Sequence, residues 1–149
     1  MATAAMYVPG VQHFANGAID WDTDTIKVML VTGSYTPDQD AHDFRNDLGA
    51  NEVAASGTYV AGGATIGSRS LSIDAASNEV RLIGADVQWT GFTGAFRYAV
   101  VYKARGGASS ADELIAYSDL GAQSVTNATV TLDYDQTNGV CKFTVGVLA

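Results

Sequence analysis

The apolar positions of this chain recur mostly with a period of two. Over 25–31, Ile26, Val28 and Leu30 fall on one side and Lys27, Met29 and Val31 on the other, an alternation with β-branched residues that predicts a strand. The clearest case is 95–103, where Phe96, Tyr98, Val100 and Tyr102 share a face opposite Arg97, Ala99, Val101 and Lys103. Further strands are predicted over 52–55, 58–61, 70–74, 79–83, 86–90, 113–118, 129–135 and 140–147, separated by Gly, Asn, Asp and Ser clusters. Asn138-Gly139 between the last two is a hairpin signal, which sets Val130, Leu132 and Tyr134 to pair with Cys141, Phe143 and Val145.

The period changes once. Thr36-Pro37-Asp38-Gln39 has the form of a capping box, with Pro at the first helical position, and Ala41, Phe44 and Leu48 form a narrow apolar stripe before Gly49. One short α-helix is therefore predicted at about residues 37–48. Residues 1–10 show no periodic partner and read as an extended N-terminal arm, with a helical turn over 11–15 ended by Asn16-Gly17. The expected architecture is mainly β: an antiparallel β-sandwich or barrel-like fold, one β-rich domain over 11–149, with no βαβ alternation and no internal repeat.

Composition sharpens this picture. With 149 residues, 47% hydrophobic and 16% charged, the chain can bury a sizeable core and is not a disordered type. No apolar run approaches the roughly 18 residues of a membrane span, and no Lys or Arg precedes Lys27, so neither a transmembrane segment nor a secretory leader is expected. The single cysteine, Cys141, excludes an intrachain disulfide and reads as a buried thiol. The net charge of −8 is concentrated in one third of the chain: Asp20, Asp22, Asp24, Asp38, Asp40, Asp43, Asp47 and Glu52 stand against only Lys27 and Arg45. A surface of that sign repels phosphate backbones, so no direct nucleic-acid contact is expected.

Little in the sequence carries reaction chemistry. Asp20, Asp22 and Asp24 have a spacing that could aim three carboxylates at a calcium ion, but an EF-hand needs Gly and Glu where Thr25 and Val31 stand. The plainer role for them is a polar turn before a strand. His13 and His42 are the only histidines, too few with one cysteine for a zinc centre, and no Gly-x-Ser-x-Gly elbow is present. Gly62-Gly63-Ala64-Thr65-Ile66-Gly67 lacks the Lys-Ser/Thr ending of a phosphate loop and suits a turn or a close backbone approach. Trp21, Tyr35, Tyr59, Trp89 and Phe92 lie near turns, where aromatics either fill a core or form a sugar platform. No enzyme activity and no cofactor are expected.

Several segments together resemble small virion structural proteins of tailed bacteriophages. They are 14–31, FANGAIDWDTDTIKVMLV, continuing through Ser34-Tyr35-Thr36-Pro37-Asp38-Gln39-Asp40 and His42-Asp43-Phe44; then Tyr59-Val60-Ala61-Gly62-Gly63-Ala64-Thr65, Ala85-Asp86-Val87-Gln88-Trp89-Thr90 and Arg97-Tyr98-Ala99-Val100-Val101-Tyr102-Lys103. The resemblance covers about residues 14–120. It implies a capsid decoration (cement) protein on the outer capsid surface of the virion, passing through the host cytoplasm during assembly. Its implied partners are the major capsid protein and copies of itself around a symmetry axis. Met6, Tyr7 and Val8 of the arm are the expected partner contacts. The alternatives are a neck, tail or fibre component, or a host-glycan-binding attachment module using Trp21 or Trp89.

Overall fold

The computed structural model describes residues 4–146. In chain order its elements are β1 (Ala5–Met6), α1 (Val8–Ala15), β2 (Ile26–Val31), β3 (Ala64–Thr65), β4 (Ser70–Asp74), β5 (Glu79–Ile83), β6 (Val87–Lys103), β7 (Leu114–Leu132) and β8 (Cys141–Thr144). Two antiparallel sheets result, one of five strands in the order β1-β7-β6-β2-β3 and one of three in the order β4-β5-β8. The chain is thus mainly β, a sandwich with one α-helix, and its sheets do not close into a barrel.

The large sheet is covered on both faces. One face carries Ile26, Val28, Leu30, Ala99, Val101 and Ile115 into a core shared with Leu82, Val140 and Cys141 of the small-sheet layer, with Trp21, Trp89 and Phe92 filling between. The other carries Met29, Val31, Tyr98, Val100, Tyr102 and Leu114 against Tyr7, Tyr35 and Leu48. This double burial explains why β2 and the second half of β6 read as nearly continuous apolar runs: a strand covered on both sides has no solvent face to keep polar.

The single α-helix lies at Val8–Ala15, so the expected helix at about residues 37–48 is corrected. Side chains in that stretch compete with the backbone. Asp38 Oδ1 accepts the Asp40 and Ala41 N–H groups, and Asp47 Oδ2 accepts those of Asp43 and Phe44. These local bonds close tight turns and leave only a 3-10 turn, Arg45–Leu48, which buries Leu48 alone of the apolar stripe. The true helix begins with Pro9 in its first turn and ends at the Asn16-Gly17 turn. It approaches β7 through Gly10, where a Cβ would sit 2.7 Å from the Leu114 carbonyl oxygen.

The reading of 1–10 as a free arm is corrected over the described residues. Ala5 and Met6 pair with Tyr117 and Ala116, the Tyr7 N–H donates to Ile115 O, and Gln39 donates from Nε2 to Met6 O at 2.8 Å. Residues 1–3 of that segment lie outside the described residues.

Four predicted strands merge into two. Gly91, Gly94, Gly121 and Asn127 are absorbed along a long β6–β7 hairpin, whose register shifts several times between Trp89 and Tyr98. The 52–55 and 58–61 segments contribute only isolated bridges, Val31 with Glu52 and Ser56 with Tyr59. The Asn138-Gly139 signal marks a true turn but not the expected hairpin. Leu132 pairs with Val87 and Val130 with Trp89, whereas Cys141 pairs with Leu82 and Phe143 with Val80, so the turn carries the chain from one sheet to the other. Gly63 makes the close approach anticipated for the glycine-rich stretch. At φ +71° its Cα faces β2, and a Cβ would sit 1.9 Å from Val28 O.

Candidate interaction surfaces

The Asp20–Asp24 loop is built as a self-capped turn. Asp20 Oδ1 accepts the N–H groups of Asp22 and Thr23, and the Asp20 N–H donates to Asp24 Oδ2 at 2.7 Å. Lys103 Nζ lies 2.7 Å from the same Asp24 oxygen. Partial burial works against the charge on Asp24, but the Asp20 N–H and Lys103 outweigh it and hold its carboxyl below the usual range. Asp20, Asp22 and Asp24 are thus not assembled as a calcium site, and among the described residues no three His, Cys, Asp or Glu side chains come together to hold a metal ion. The reason is local: a short Asp-rich turn satisfies its own N–H groups first.

The three expected partner residues separate. Tyr7 is fully buried, its hydroxyl 2.8 Å from that of Tyr35, which in turn lies 2.7 Å from His42 Nδ1. Burial raises the Tyr7 pKa strongly and pushes that of Tyr35 up to about 12. Tyr7 is therefore an anchor and is corrected as a partner contact. Met6 is half-buried beneath Gln39, and only Val8, on α1, is exposed.

The aromatics near turns are core residues. Trp21, Tyr35, Tyr59, Trp89 and Phe92 are all buried, and Trp21 donates from Nε1 to Ile83 O at 2.8 Å, tying the large-sheet layer to the small sheet. Neither tryptophan is open to a sugar, so the aromatic platform is set aside. Cys141 is fully buried, and desolvation pushes its thiol up to about 12, which leaves it unreactive while folded.

Charged side chains largely pair within the chain. Arg45 Nε lies 2.8 Å from buried Asp112 Oδ2 and its guanidinium stacks over the Tyr102 ring at 5.3 Å. Glu79 sits between Lys142 at 2.5 Å and Arg81 at 2.9 Å; Lys142 foremost, then Arg81, keep its carboxyl below the usual range against the opposing cost of desolvation. A cleft lined by Lys27, Arg45, Glu52, Tyr102 and Asp112 holds both signs of charge, and its Glu52 already accepts the Tyr59 hydroxyl and the Gly62 N–H.

Two strand edges of low charge remain, and the sequence reading named neither. The first is the far part of β7. From Leu120 to Leu132 it holds no Asp, Glu, Lys or Arg, and beyond the β1 pairing at Ala116 and Tyr117 no described strand lies along its outer side. A hollow beside it, with a volume of about 370 Å³, is lined by Phe96, Leu120, Val125, Val130 and Leu132 together with the polar Gln123, Thr129 and Thr131 and the acidic Asp133. The second is β4, at the edge of the small sheet. The only available signal was the absence of charge over 120–132 and the Ser-Leu-Ser-Ile alternation at 70–73, both of which look ordinary until the topology shows them to be edges.

No family model, curated protein or solved structure matches the chain. Among the described residues no helix is long and apolar enough to cross a membrane.

Proposed function

We propose that this chain is a virion structural protein of a tailed bacteriophage, a capsid decoration protein that binds the outside of the shell and stabilises it against the outward load of packed DNA. It works through the faces it presents, with the major capsid protein and further copies of itself as partners. The observation that supports this reading best is the outer side of β7. A strand edge without charge from Leu120 to Leu132, beside a largely apolar hollow with Asp133 in its wall, suits the addition of a strand from a large protein neighbour, in which main-chain bonds supply affinity and the hollow takes a side chain. An acidic exterior suits the outer surface of a particle better than contact with its genome.

The test uses purified particles and undecorated shells. The protein is expected in the purified particles in many copies spread over the shell, and it should saturate undecorated shells when added back. Ser124→Lys with Thr126→Lys, both at exposed positions of β7, should lower occupancy at least tenfold. Absence from purified particles, or a few copies confined to one vertex, overturns the decoration reading; undiminished occupancy of the double variant overturns β7 as the contact.

A further inference from the structure

We propose that β4 is a homodimer edge, pairing antiparallel with β4 of a second copy about a twofold axis at Ser72. This goes beyond the capsid reading and stands or falls without it.

The small sheet carries two apolar rows across its strands. Cys141, Leu82 and Leu71 form one, and Phe143, Val80 and Ile73 the other. Each row begins in the core and ends in water. Cys141 and Leu82 are fully buried, Phe143 and Val80 half-buried, but Leu71 is 52% exposed and Ile73 79% exposed. The rows therefore stop at β4 because the sheet stops there. Val145, just past β8 and also exposed, continues the same alternation.

A second copy of this chain completes both rows, and the sequence of β4 specifies how. In an antiparallel pair centred on Ser72, Leu71 stands opposite Ile73 of the other copy, and Ile73 opposite its Leu71, all on one face. Each row then runs unbroken over six strands, through Leu82 and Leu71 into Ile73 and Val80 of the neighbour. The charges fit the same register. Asp74, the only charged residue of β4, is already paired with Arg81 at 2.5 Å and falls opposite Ser70, while Arg69 falls opposite Ala75. No like charges face each other across the seam, which matters for a chain of net charge −8. β4 also lacks the devices that protect a free edge: it has no Lys, no Pro and an unbroken register with β5.

Cysteine cross-linking reads the register directly, because the native Cys141 is buried and stays out of the reaction. Directly opposed residues have Cα atoms about 4.5–5.5 Å apart, within disulfide reach. Under mild oxidation Ser72→Cys is expected to form a covalent dimer in high yield, while Ser70→Cys and the exposed loop variant Ser110→Cys do not. In sedimentation, wild-type protein should show a concentration-dependent monomer–dimer equilibrium that Ile73→Lys weakens at least tenfold. Ile73 is solvent-exposed, so its replacement leaves the monomer folded. Equal cross-linking at Ser70 or Ser110, or a wild-type monomer at every concentration with no Ser72→Cys dimer, overturns the proposal.

Discussion

Replacing Tyr7 separates a docked N-terminal segment from a loose one. Its ring is fully buried, 5.0 Å from the Tyr117 ring, and its hydroxyl heads the chain Tyr7–Tyr35–His42. Tyr7→Ala removes a large, fully buried aromatic from the cluster it forms with Tyr35, Leu48, Leu114 and Tyr117, and should cost about 3–5 kcal/mol. Tyr7→Phe keeps the ring and removes one neutral hydrogen bond, while Tyr35 retains His42, so its cost should be about 0.5–1.5 kcal/mol. Against a total stability of about 5–15 kcal/mol, the first is severe and the second mild. At about 2–4 °C per kcal/mol for a domain of this size, Tyr7→Ala should lower Tm by about 6–20 °C. Urea titration followed by circular dichroism measures both variants, with an unchanged slope certifying that only stability moved. A Tyr7→Ala midpoint within about 0.5 kcal/mol of wild type, the range of ordinary surface changes, would refute the docking of this segment. The same reasoning rules out deletion of residues 1–8 as a clean test of partner binding, since it removes β1 and Tyr7 together.

Three further outcomes follow from individual contacts. Glu79 has a folded pKa below its ordinary 4.5, so its contribution is present above that pH and is lost as pH falls through the lowered value; the stability gap between wild type and Glu79→Gln should be widest near neutrality and close in acid, and parallel urea midpoints from pH 7 to pH 3 would contradict it. Cys141 should react with a thiol reagent at least 100-fold more slowly in native protein than in urea, measured by the absorbance of the released chromophore. Gly63→Ala should destabilise by more than about 2 kcal/mol, because both its positive φ and the adjoining Val28 carbonyl oppose a Cβ; a thermal melt matching wild type would remove the argument for that close approach.

What the sequence revealed was local, and what it hid was partnership. β4 and β5 were each legible to the residue, at 70–74 and 79–83, because each is a short alternating run bounded by turn residues; that they pair as a hairpin was not read. Val130 and Phe143 were each placed correctly in strands, yet they belong to different sheets, since alternation records a face and not the neighbour across it. The false helix arose the same way. Asp38 and Asp47 are good residues for a helix start, and equally good at closing tight turns; only three apolar positions stood behind the helical choice. Of α1 only the end was legible, the helical turn over 11–15 closed by Asn16-Gly17; its start at Val8–Pro9 was missed, because Tyr7 and Val8 show no helical period. Asp20, Asp22 and Asp24 show the limit for sites: their spacing was compatible with an ion or a turn, and the position of Lys103, far along the chain, decides for the turn.

The net charge of −8 also bears on association through the two open strand edges. Leu120–Leu132 and β4 are both surfaces that invite strand addition, and in a neutral protein they would promote open-ended association. A net charge of −8 opposes any approach of two copies that is not specifically rewarded, and the Ser72-centred register is rewarded by two completed apolar rows with no like charges opposed. A five-residue strand makes only a modest contact by itself. If the proposed capsid role holds, neighbours held at β7 on a repeating lattice would meet at high effective concentration, and a contact too modest to hold free subunits together would close there. Screening should therefore separate the two effects, strengthening the β4 pairing in solution as salt rises because the repulsion between acidic subunits is long-ranged and the apolar rows are not. A dimer that weakens with added salt would show that charge attraction, and not the completed rows, holds it together.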